Sequence, residues 1–145
     1  MTPTFSHEQR SIMSEKLIQA TKDFAYRYKR YGIKFSIAIG HTSDEVDLPP
    51  LSQHIRESDR FIVLDHNTCA IVLDCANDDC GIKAANNLLT LFQGTYFSAT
   101  IFTSIVTVSN YTTPELMFKD LFYLLNYAIE HNMNAILVEH SCVIS

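Results

Sequence analysis

The chain has no tryptophan and, in 145 residues, only four glycines, four prolines and four cysteines. It carries no repeat and no low-complexity stretch, so its composition, 47% hydrophobic and 19% charged, is that of an ordinary globular protein. The length suits one domain with a full hydrophobic core. Positive charge is also scarce: the formal net charge is −5, which argues against broad electrostatic binding to nucleic acid or an anionic membrane. The one basic run, Arg27, Tyr28, Lys29 and Arg30 with Lys34, reads as the cationic last turn of a helix, favoured by the helix dipole. No apolar run reaches the ~18 residues of a membrane span. Residues 1–10 lack the basic-then-apolar layout of a signal peptide. A cytoplasmic protein is therefore expected, with Cys69, Cys75, Cys80 and Cys142 reduced. None of these forms a Cys-x-x-Cys pair, so they read as small core residues rather than zinc ligands. Gly-x-Ser-x-Gly, P-loop and His-Glu-x-x-His patterns are absent too, and no cofactor or metal is expected.

What is present is a regular alternation of helical and strand patterns. Residues 6–31 read as one long helix, with Ser6 and Gln9 as a capping box and Gly32 as the stop. Ile12, Leu17, Ile18, Phe24, Ala25 and Tyr28 mark its apolar stripe, which suits either the domain's own core or a partner helix. A strand follows at residues 34–40, then a polar loop from His41 to Pro50, and a short helix at residues 51–58. Residues 60–64 and 69–73 read as two strands joined by a tight turn at Asp65, His66, Asn67 and Thr68. Both strands are apolar almost throughout, so the hairpin is expected at the centre of the sheet, with neither strand at an edge. Asn77 caps a helix over residues 78–92, ended by Gly94. A long strand over residues 96–109, a helix from Thr113-Pro114 to Glu130 and a closing strand at 134–139 complete the chain. The order predicts an α/β sandwich of two or three layers. Its mixed sheet is built on a ferredoxin-like βαββαβ core (34–145) and preceded by the long N-terminal helix (1–33).

The element order and residues 56–73 resemble the GGDEF domain of diguanylate cyclases. In that family a strand–turn–strand hairpin carries Gly-Gly-Asp/Glu-Glu-Phe at its turn. Five residues upstream, many members carry Arg-x-x-Asp, an allosteric site for the product cyclic di-GMP. Here Arg56-Glu57-Ser58-Asp59 precedes five residues, and Asp65-His66-Asn67-Thr68-Cys69 stands at the signature position. Ala128 and Asn134 fall where the family has an Ala and an Asn near its end. The resemblance implies that Arg56 and Asp59 would read guanine, the Arg fork at O6/N7 and the carboxylate at its N–H groups.

The departures from the family pattern imply lost catalysis. Asp65 and His66 replace the glycines that let backbone approach a triphosphate. Asn67 and Thr68 replace acids that would hold magnesium. Gly40-His41 stand where a metal-binding Asp is expected, and Ile129 replaces a lysine. Phosphoryl transfer works by positioning and charge stabilisation, so no cyclase activity is expected. The expected role is binding, in signalling or assembly. Cyclic di-GMP at Arg56 and Asp59, and a protein partner or second copy on the N-terminal helix, are the expected ligands. The alternative is an unrelated α/β enzyme using His41, Asp44, Glu45 and Asp47, polar residues after a strand's C-terminal end.

Overall fold

A computed structural model describes residues 5–42, 44, 49–74, 78–96 and 99–140, with the backbone alone at 49–51 and 78. The elements run α1 (His7–Tyr31), β1 (Ser36–His41), a 3₁₀ turn (Pro49–His54), β2 (Arg60–Asp65), β3 (Thr68–Leu73), α2 (Asp78–Thr95), β4 (Phe102–Thr107), α3 (Pro114–Glu130) and β5 (Leu137–Val138). The sheet order is β2-β3-β1-β4-β5. β1 pairs antiparallel with both β3 and β4, while β4 and β5 are parallel, so the sheet is mixed.

Helices cover both faces, giving three layers. Alternate residues of β1 divide between them: Ile37 and Ile39 pack with α1 and α3, and Ala38 packs with α2. α2 crosses close over the first strand. A Cβ added at Gly81 would lie 2.6 Å from Ser36 Oγ, which is itself bonded to Thr107 Oγ1 at 2.9 Å. Gly81→Ala is therefore expected to cost about 1–3 kcal/mol of stability through overpacking, read as a lower urea midpoint with an unchanged slope.

The N-terminal helix forms as its caps dictate. Ser6 Oγ accepts from Gln9 N (3.0 Å), Gln9 returns the bond to Ser6 N (2.8 Å), and Gly32 takes the left-handed conformation at φ 70°. Its stripe docks on the domain's own core through Met13, Leu17, Thr21 and Phe24. Ile12, expected in that stripe, is 53% exposed, and Met13 takes the inward place.

The hairpin is not central. β1 sits between β3 and β4, which drives β2 to the sheet edge. A βαββαβ core with β1 in the middle requires this, so a central hairpin was incompatible with the core expected alongside it. β3 is buried throughout, but Arg60 and Val63 of β2 are exposed. α1 covers part of the edge instead. Arg60 forks onto Asp23 at 2.9 and 3.0 Å and donates to Ala20 O, and Lys16 Nζ donates to Leu64 O at 3.1 Å.

Other boundaries differ for local reasons. The short helix expected at residues 51–58 is a 3₁₀ helix at Pro49–His54 instead, and residues 56–59 make a separate turn closed by Asp59 N to Arg56 O. α2 runs past Gly94 to Thr95. Strand β4 keeps only Phe102–Thr107 of the long β-branched stretch, because Val108–Asn110 turn as a 3₁₀ segment. β5 has two residues, since Asn132 and Ala135 adopt positive φ in the turn before it. Asn77, Cys75 and Cys142 lie outside the described residues.

Candidate functional site

Asp65 and Thr68 close a hairpin whose central residues are His66 and Asn67. Neither has positive φ, so the turn is not of the primed type that matches strand twist. A register shift between Val63 and Asp65 accommodates the mismatch as a bulge. Every signature-position side chain is engaged locally or buried. Asp65 Oδ1 accepts from His66 N (2.7 Å) and bonds His66 Nδ1 (2.9 Å), and these bonds hold its carboxyl below the usual range. Thr68 is fully buried, with its hydroxyl 2.8 Å from His41 Nδ1. Asn67 Oδ1 accepts from that same hydroxyl, and Asn67 O accepts from Thr42 N. Cys69 faces the α2 side of the core, where burial pushes its thiol up to about 12, an inert group.

His41 ends β1 rather than opening a loop, and it is buried beneath the turn against the edge of Phe5, ring centroids 5.1 Å apart. Burial lowers its pKa from the ordinary 6.5, with Asp65 acting in the opposite direction. A lowered basic pKa means that the unfolded chain binds the proton more readily. His41 thus contributes stability above about pH 6.5 that is lost as pH falls below it. The urea midpoint is expected to drop between about pH 7.5 and pH 5.5, and His41→Gln should flatten that dependence. An unchanged slope in the variant would assign the effect to another group.

Arg56 and Asp59 lie side by side before β2, and they hold each other. Arg56 Nε and Nη2 each donate to the Asp59 carboxylate at 2.9 Å, a bidentate pair. Asp59 also accepts from Arg56 N (3.2 Å) and Asp74 N (2.9 Å), and Arg56 Nη2 reaches Asp74 O (3.1 Å). The Asp59 side chain is 2% exposed and that of Arg56 49%. The pair pins the 56–59 turn to the end of β3. Asp74, the third member, was not legible because it lies 15 residues from Asp59 and meets it only through the β2–β3 pairing.

The His41 loop does not assemble as a site among the described residues. Asp44 accepts from Thr100 N (2.7 Å) and its hydroxyl (3.1 Å), tying the loop to the approach of β4. Glu45 and Asp47 lie outside the described residues. No three His, Cys, Asp or Glu side chains converge among the described residues. Near the end of the chain Ala128 is fully buried, and Asn134 Oδ1 accepts from Ile101 N at 2.9 Å, so both serve the fold. Among the described residues no helix is long and apolar enough to cross a membrane.

This five-stranded mixed sheet with helices on both faces is shared with solved GGDEF domains. One is a microbial GGDEF domain described in a novel interaction mode with cyclic di-GMP. It matches with a TM-score of 0.67 at 11% identity, over 87% of this chain and 92% of that one. Another is the GGDEF domain of YfiN (TpbB) from Pseudomonas aeruginosa, with a TM-score of 0.68 at 14% identity over 90% and 94%. A shortened form of that protein comprising only the GGDEF domain gives 0.66 at 14% identity over 90% and 88%. The chain therefore has a GGDEF-like fold. No family model matches the sequence, and no curated protein matches it.

Proposed function

We propose that this is a GGDEF-like domain without cyclase activity that acts by binding, in signalling or assembly within the cytoplasm. The observation that carries the reading is the hairpin turn. Where the resemblance asks for two glycines and two acids, Thr68 is buried on His41 and Asp65 is held by His66. A turn so occupied offers neither the open backbone nor the clustered carboxylates that a magnesium triphosphate needs. Incubated with GTP and magnesium, the protein is expected to form no cyclic di-GMP; its formation overturns the reading.

A receptor role for cyclic di-GMP at Arg56 and Asp59 is the second reading, favoured by the half-exposed guanidinium. Against it, the two groups that would read guanine are spent on each other, and a nucleotide must break the bidentate pair. Isothermal titration with cyclic di-GMP is expected to give no heat and no shift in melting temperature. Micromolar binding that Arg56→Ala abolishes would instead make the domain a receptor. A protein partner or second copy on α1 would meet its outer face, which carries Ile12 and Tyr26, because the inner stripe is on the core. The enzyme reading on His41 is weakened by that residue's burial.

A further inference from the structure

The basic run at the end of α1 borders a cleft of about 420 Å³, between the C-terminal half of that helix and the start of α3. Small-molecule sites commonly span ~300–1,000 Å³, with apolar and aromatic walls and few polar groups. The cleft has that character: Tyr28, Phe35, Val108, Tyr111 and Met117 line it, and Lys29 is its one charged lining residue among those described.

The hydroxyls around it are largely committed. Thr21 donates to Leu17 O at 2.7 Å, Tyr111 donates to Asp120, and Thr113 accepts from Leu116 N at 3.3 Å. Arg27 and Arg30 lie over the rings of Phe24 and Tyr31. Lys29 is exposed and has no ion pair among the described residues. The walls come from rigid elements, with Val108 N bonded to Phe35 O at 3.0 Å. The dipole accounts for cations at this end of α1, but not for an aromatic cleft beside one of them.

We propose that this cleft binds a small molecule with an aromatic body and a single anionic group, the rings against Tyr28 and Tyr111 and the anion on Lys29. One cation in the cleft matches one negative charge, and a bare inorganic anion would leave the aromatic walls unused. The site shares no lining residue with the hairpin turn or with Arg56 and Asp59, so it stands apart from the proposed binding role. Its occupant would bridge α1 and α3.

Anilinonaphthalene sulfonate, with fused rings and one sulfonate, is the probe. Titrated into the full chain, it is expected to give saturable one-site fluorescence and to raise the melting temperature, as a ligand of the folded state must. Lys29→Gln should weaken it about tenfold, the effect of one lost charge-assisted contact. Ala25→Phe, which fills the cleft from α1, should abolish it. Non-saturating binding, a lowered melting temperature, or affinity unchanged in Lys29→Gln would overturn the proposal. Lys29 is exposed, so that variant is readable even where the cleft-filling one unfolds.

Discussion

Leu17→Ala is expected to lower the unfolding free energy by about 3 kcal/mol, within the range for emptying a leucine-sized space in a packed core. Leu17 is fully buried and lies in one hydrophobic cluster with Ile37, Val72 and Leu121, drawn from β1, β3 and α3. That cluster makes α1 part of the domain's core rather than a separate arm. Removal of residues 1–33 should accordingly leave a chain without a cooperative transition, because Ile37, Ile39, Leu121 and Leu125 would face water. Urea unfolding of the full chain, the variant and the truncated chain distinguishes the cases. A truncated chain that unfolds cooperatively, with Leu17→Ala costing less than about 1 kcal/mol, would show that the helix merely rests on the surface.

Asp59→Ala should have the next largest effect, about 2–4 kcal/mol, and a larger one than Arg56→Ala. The asymmetry follows from burial. The Asp59 carboxylate is shielded and accepts from two backbone N–H groups besides the guanidinium. Without it, Asp74 N loses the carboxylate bond and the turn at 56–59 loses its tie to β3. Arg56→Ala removes a half-exposed partner, while the carboxylate keeps both backbone donors, so about 1 kcal/mol is expected. The two denaturation midpoints carry the comparison. Equal small losses would mean that the pair contributes little to the fold, and would make it available to a nucleotide. This stability test complements the titration with cyclic di-GMP, because a clamp costly to open is a poor guanine reader.

The fold was legible where the signal is local. Ser6, Gln9 and Gly32 set the limits of α1, and Thr113-Pro114 began α3, because caps depend on residues within one turn of each other. The hairpin at Asp65–Thr68 was equally readable. The alternation of elements led to the βαββαβ core, and the GGDEF-like resemblance gave the same architecture as the solved structures. The length of β4 was misread because β-branched residues favour extended backbone whether or not a neighbouring strand is there to pair with it.

The candidate site was half legible. The sequence alone determined that Arg56 and Asp59 stand three apart, ahead of a turn without glycine. Only the tertiary structure decided what those residues do. It brought Asp74 onto Asp59, set His41 under Thr68, placed β2 at the edge and turned the stripe of α1 onto the sheet. Each of these joins residues distant in sequence, and chain topology fixes which strands and helices meet. Periodicity reports which face of an element is apolar; packing chooses the surface that face is buried against.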